Sequence, residues 1–112
     1  MKLVVKIGGS VIASPINPEL IQRYVELLKT LKNDGHEIVA VVGGGSLARE
    51  FIAIAKKLGL KESAQDEIAI SVSRLFAQLF LKKLGKLSCQ DVPASLEQIV
   101  QCLKSEKIVV LG

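Results

Sequence analysis

Two hydrophobic patterns recur along this chain. Short β-branched runs that stop at glycine are typical of buried strands, and apolar residues spaced three or four apart behind a capping residue are typical of helices. Strands that alternate with helices predict an α/β fold with a mostly parallel sheet and helices on both faces. The predicted strands are Lys2–Ile7, Glu37–Val42, 86–89 and 107–111, and the predicted helices start after Asn17, at Ser46, near 64 and after Ser95.

The longest predicted helix covers residues 64–84 and is apolar on more than one face. Ile70, Val72, Leu75 and Phe76 do not fall on a single stripe. A helix of this kind is buried on two sides. We therefore expect one side to pack on the sheet and the other to contact a second subunit, so that the complete protein is a homo-oligomer.

Length and composition exclude several classes of protein. The 112 residues fit one domain but are few for an enzyme with two substrates. A net charge of +4, with one Tyr, three Phe and no Trp, indicates no nucleic-acid interface. No run approaches the roughly 20 apolar residues of a membrane span, and no secretion signal follows Met1, so we expect a cytoplasmic location.

The chain has two cysteines and one histidine. Cys89 and Cys102 lack the spacing of a metal or redox pair, and His36 has no histidine partner. The usual ligands therefore assemble no metal set, and both cysteines are interpreted as reduced, structural residues.

Two predicted strands end in glycine clusters, Gly8-Gly9-Ser10 and Gly43-Gly44-Gly45. Loops without Cβ atoms let backbone N–H groups reach phosphate oxygens, and a helix start behind the loop favours negative charge. Because neighbouring parallel strands end at one edge of a sheet, we expect the two loops to lie together there. The alternative is that the glycines serve only to make tight turns.

Four charged side chains are candidates for chemistry near these loops. Lys6 lies near the end of a predicted buried strand, where an ammonium needs an anion unless it reaches solvent. Arg49, predicted in the first turn of the next helix, is either a bidentate phosphate ligand or an ordinary surface arginine. Asp66 either caps the long helix or accepts hydrogen bonds from ribose hydroxyls. Arg74 should reach a partner carboxylate or the edge of a site.

At these positions the sequence resembles a known family. Residues 6–10 (KIGGS) are similar to the opening motif of the amino-acid-kinase superfamily, and residues 41–52 (VVGGGSLAREFI) resemble the second motif of archaeal uridylate kinases. Residues 66–74 (DEIAISVSR) are similar to the segment that follows in those kinases. The resemblance runs from Lys2 to Gly112. It implies a truncated three-layer sandwich in which residues 1–112 are the N-terminal, acceptor-binding half and the ATP-binding half is absent.

The resemblance also implies a reaction. Such an enzyme transfers the γ-phosphoryl group of ATP, with Mg²⁺, to UMP, giving UDP in pyrimidine nucleotide biosynthesis. Ala69 stands where the family commonly has glycine, and without an ATP site we expect this fragment to be inactive. The implied roles are catalysis by Lys6, contact with the transferred phosphoryl group by Gly8, Gly9 and Ser10, binding of the UMP phosphate by Gly43, Gly44, Gly45 and Arg49, and binding of its ribose by Asp66.

Other functions remain open on the sequence. Related kinases of the superfamily act on isopentenyl phosphate or acylated amino acids and share the phosphate-handling motifs. Residues 43–48 also satisfy the G-x-G-x-x-A pattern of dinucleotide-binding oxidoreductases, although no acidic residue follows at the end of a strand about 20 positions on. The short chain is also compatible with a non-catalytic binding or assembly module.

Overall fold

A computed structural model describes all residues from 1 to 112. Alternating strands and helices form a three-stranded sheet with helices packed against it, which is the predicted α/β class. The elements are β1 (Lys2–Ile7), α1 (Gly9–Ile12), α2 (Pro18–Asn33), β2 (Glu37–Val42), α3 (Gly45–Lys57), α4 (Glu62–Leu84), a 3₁₀ turn (Gly85–Leu87), α5 (Leu96–Lys104) and β3 (Val109–Leu111).

Local signals explain where several helices begin. Asn17 Oδ1 accepts a hydrogen bond from Leu20 N at 3.1 Å, which confirms the predicted cap of α2. Ser95 Oγ accepts one from Gln98 N at 3.2 Å and caps α5, the helix predicted to open at residues 93–95. The predicted cap of α3 is wrong. Gly44 occupies the N-cap position and makes no side-chain cap bond, whereas the Ser46 hydroxyl donates to the Ala13 carbonyl at 2.8 Å.

The sheet is parallel, in the order β1-β2-β3, as predicted. Its register pairs Ile7 with Val42 and Val41 with Leu111, so all three strands point their carboxyl ends the same way. One face of the sheet carries the main core, where α2 and α4 cover it. The core residues include Ile7, Ile38, Ala40, Val42 and Val110 of the sheet, Val25 and Leu28 of α2, and Phe76 and Phe80 of α4.

The opposite face of β1 is open to solvent. Val4 is 75% exposed, Lys6 is exposed, and β1 pairs with β2 along one edge only. The prediction that β1 is buried throughout is therefore wrong, because an edge strand alternates between core and solvent. The predicted strand at 86–89 is also wrong. Those residues form a 3₁₀ turn and one bridge, Ser88 to Ile108.

Helix α4 spans 23 residues and is exposed along part of its length despite its apolar sequence. Val72, Phe76 and Phe80 are buried, whereas Ile70, Leu75 and Leu79 are each about half exposed. No helix in the structure combines the length and the apolar character that crossing a membrane requires.

The two cysteines form a disulfide, which overturns their interpretation as reduced thiols. Cys89 follows the bridge between Ser88 and Ile108, and Cys102 is buried in α5. Their Cα atoms are 6.0 Å apart, within the range that a disulfide spans. The sequence did not predict this disulfide, because a separation of 13 residues matches no known cysteine motif and the two cysteines meet only when α5 packs beside β3.

We predict that reduction lowers the stability of the chain. Opening a cross-link between residues 13 apart should lower the free energy of unfolding by about 3 kcal/mol, because the unfolded chain regains the entropy of the loop. The measurement is urea unfolding with and without dithiothreitol, with a Cys89→Ala/Cys102→Ala double variant as the control that should not respond to the reductant. Equal stability of the wild-type chain in both conditions would contradict the prediction.

Candidate functional site

The two glycine loops touch at the carboxyl edge of the sheet. Gly43 N donates to the Ile7 carbonyl at 3.2 Å, which joins the ends of β1 and β2. A Cβ atom added to Gly9 would lie 2.7 Å from Gly43 C and 2.9 Å from Gly44 N, both distances too short for any side chain. The predicted juxtaposition of the loops is confirmed, and glycine at position 9 is required for the contact itself.

Gly45 is needed for a second reason. Its φ is +59°, and a Cβ there would lie 2.8 Å from the Ala13 carbonyl oxygen. Only glycine adopts this conformation readily in so little space. The start of α3 is therefore held against the segment that follows α1.

Several backbone N–H groups at this edge have no acceptor within the chain. The amides of Gly9, Ser10, Gly44 and Gly45 donate no hydrogen bond to any backbone or side-chain atom. The first turn of α3 contains no acidic residue that would offset its positive end. These unpaired donors suit an anion with several oxygen atoms.

Arg49 and Lys6 add positive charge at the same edge. Arg49 is the fifth residue of α3, just beyond the predicted first turn, and its exposed side chain brings Nη2 to 3.4 Å from Ser14 Oγ. Lys6 is the next-to-last residue of β1 and is exposed, with no ion-pair partner. Of the two alternatives stated for Lys6, the structure shows the solvent-exposed side chain, since its strand lies at the edge of the sheet.

Asp66 lies on α4 and does not cap it. The N-cap is Lys61, and Asp66 is exposed in the second turn. It shares a helix side with Ser73, because seven residues complete nearly two turns. Ser73 Oγ lies 3.2 Å from the position of a Cβ on Gly44, so Asp66 stands about 10 Å along the helix from the second glycine loop.

Arg74 has a structural contact. Its guanidinium donates to the carbonyl oxygens of Val92, at 3.2 Å, and Pro93, at 3.5 Å. Of the two alternatives for Arg74, the partner carboxylate is therefore wrong, and the edge of a site stays a prediction. The side chain fastens the segment before α5 to helix α4.

Sequence reasoning missed two residues at the site. Ser14 contacts both Ser46 and Arg49, and no local pattern marks it, because these partners follow 32 and 35 residues later. Ser73 lies within residues 66–74, the segment that resembles the uridylate kinases. Because residues seven apart share one side of a helix, its spacing from Asp66 could have identified it.

Comparison with known proteins identifies the family and the fold of this chain. The sequence profile of the amino acid kinase family matches residues 1–112. A uridylate kinase of Methanobrevibacter smithii is 41% identical over 112 residues, an alignment that covers 100% of this chain and 49% of that protein. A uridylate kinase of Methanocaldococcus jannaschii is 40% identical over 114 residues, covering 100% of this chain and 50% of that protein.

Solved structures give the same result. The crystal structure of uridylate kinase from Archaeoglobus fulgidus superposes with a TM-score of 0.90 at 32% identity, covering 100% of this chain and 50% of that one. UMP kinase from Bacillus anthracis superposes at 0.76 with 17% identity, which shows a shared fold only. The chain spans about half the length of the curated relatives it matches. Because the family profile matches it from end to end, this chain belongs to the amino acid kinase family.

Proposed function

We propose that residues 1–112 form the acceptor-binding half of a phosphotransferase that converts UMP to UDP at the expense of ATP. The observation that carries the proposal is the contact between two glycine loops in which the amides of Gly9, Ser10, Gly44 and Gly45 have no partner in the chain. Two such loops at one sheet edge provide adjacent positions for the phosphate of an acceptor and for the phosphoryl group that it receives. The uridylate kinases that match the whole chain support this acceptor.

The second loop would hold the acceptor phosphate. The amides of Gly44 and Gly45 have no partner in the chain, and Arg49 supplies a guanidinium whose paired N–H groups match two phosphate oxygens. Asp66, about 10 Å along α4, is spaced to accept hydrogen bonds from the ribose hydroxyls. This arrangement orients the acceptor across the carboxyl end of β2, with its phosphate towards the first loop.

The first loop would contact the phosphoryl group in transit. The Gly9 and Ser10 amides are unpaired, and Lys6 leads into this loop from the end of β1. Much of the catalysis of phosphoryl transfer comes from neutralising the negative charge on the equatorial oxygens of the transferred phosphoryl group. A solvated ammonium is suited to this role because it gives up no existing ion pair when the anion arrives.

No group of three histidine, cysteine or carboxylate side chains that could hold a metal ion is found in these residues. The relatives are about twice as long as this chain, and we propose that ATP and Mg²⁺ bind in their additional length. The complete enzyme would hold its two nucleotides on different halves.

The chain path after the second loop argues against a dinucleotide-binding oxidoreductase. Helix α3 is followed by α4, and Asp66 lies within that helix. Dinucleotide recognition instead places the acidic residue at the end of the next strand. The glycine pattern at 43–48 therefore lacks its usual structural context.

We also propose that the complete protein is a homo-oligomer that associates through α4. Leu75 and Leu79, one turn apart, are 57% and 47% exposed on a helix whose other side is buried in the core. Apolar side chains grouped in this way are typical of a subunit contact.

For the phosphate site, we predict that Arg49→Ala weakens UMP binding by about 1.5–3 kcal/mol, the range for hydrogen bonds to charged groups. Uridine, which has no phosphate, should bind the variant and the wild-type chain equally. Titration calorimetry of both ligands measures this, and Arg23→Ala, an exposed arginine on α2, is the matched control. Equal losses for UMP and uridine would assign Arg49 a structural role.

For the division of the enzyme, we predict little or no ATP-dependent conversion of UMP to UDP by residues 1–112. The advantage of aligning two reactants is lost when one of them has no site. The assay compares this chain with the full-length uridylate kinase of Methanocaldococcus jannaschii. If residues 1–112 turned over UMP within about tenfold of the rate of that enzyme, a difference of about 1.4 kcal/mol in activation free energy, the proposed split into an acceptor half and an ATP half would be refuted.

For assembly, we predict that Leu75→Glu in the complete protein lowers its molar mass in solution. The substitution would bury a carboxylate in the contact between subunits and so weaken their association. Light scattering after gel filtration gives the mass. Leu96→Glu, at an exposed leucine on α5, should leave it unchanged. A monomeric wild-type protein would count against the proposed contact.

A further inference from the structure

The hydroxyl of Ser14 lies at the start of α3, next to the second glycine loop. Ser14 is half-buried after α1, and its Oγ accepts a hydrogen bond from Ser46 N at 2.7 Å and one from Arg49 Nη2 at 3.4 Å. It therefore supplies an acceptor to the first turn of α3 from 32 residues earlier in the chain. Among the amides at this helix start, that of Ser46 is paired while those of Gly44 and Gly45 are not.

Both bonds use the Ser14 oxygen as an acceptor. A serine hydroxyl also has one hydrogen to donate, and no atom of the chain accepts it. This free donor lies beside an arginine and the unpaired amides of the second loop. All the available groups here are donors, so the ligand that completes them is an oxyanion.

We propose that Ser14 is a positioning residue for the acceptor phosphate: it holds the Arg49 guanidinium beside the second glycine loop and directs its own hydroxyl hydrogen at the bound anion. The inference rests on the proposed acceptor site and adds to it a residue outside the glycine motifs. Arg49 has a long, exposed side chain, which would otherwise sample many rotamers. Restricting it before the ligand arrives lowers the entropy lost on binding.

The test measures three probes on four forms of the chain. UMP, uridine and inorganic phosphate are titrated into the wild-type chain and into Ser14→Ala, Ser14→Thr and Ser105→Ala, the last a matched control in which an exposed serine follows α5. Binding is followed by calorimetry and by the amide resonances of Gly44 and Gly45. We expect Ser14→Ala to weaken UMP and phosphate about three- to tenfold, the value of one hydrogen bond, and to leave uridine unchanged. Ser14→Thr keeps the hydroxyl and should restore binding.

A double variant separates positioning from a merely structural role. If Ser14 acts through Arg49, Ser14→Ala should cost clearly less affinity for UMP in an Arg49→Ala background than in the wild-type chain. Fully additive losses, equal effects on UMP and uridine, or no effect at all would overturn the role of Ser14 and leave the UMP site intact. Ser14-dependent binding of phosphate without any binding of UMP would overturn the proposed acceptor instead. Binding of neither anion would overturn both.

Discussion

The contact between the two glycine loops is the constraint on which the site depends. Gly9 lies against the backbone of Gly43-Gly44-Gly45 at distances that exclude a Cβ atom. The contact brings the ends of β1 and β2 together and sets the start of α3 against the segment after α1. These glycines are therefore required by the structure, and under the proposed function they also contact phosphate. Several backbone amides at this close approach have no acceptor within the chain.

The charge at this edge is positive and largely uncompensated. The only ion pair in the chain, Lys29 with Glu26, lies within α2. Lys6 and Arg49 have no carboxylate partner, and the first turn of α3 contains no acidic residue. An anion that binds at this edge meets cations and amide donors that have no anionic partner in the chain. No ion pair has to be broken before they interact with it.

The sheet is only partly covered by this chain. Its core face is closed by α2 and α4, whereas Val4 on the opposite face is 75% exposed and both outer strands have a free edge. Curated relatives that match the chain are about twice as long. Covering exposed apolar surface of this kind with another element would stabilise the folded protein, because that surface is then removed from water. The acceptor site that we propose is nonetheless formed by residues of these 112 alone.

Apart from the strand wrongly predicted at 86–89 and the short helix α1, the sequence by itself determined the strand and helix order, the parallel sheet and the meeting of the two glycine loops. These depend on short-range signals, such as the Asn17 cap and the glycines that end each strand, which act within a few residues. It placed Arg49 and Asp66 on the right helices but misjudged their surroundings. The tertiary structure alone decided that β1 is an edge strand, that Arg74 donates to backbone carbonyls, that Cys89 pairs with Cys102, and that Ser14 accepts hydrogen bonds from Ser46 and Arg49 of α3. Each of these is a contact between distant parts of the chain, and packing, rather than local pattern, sets which parts meet.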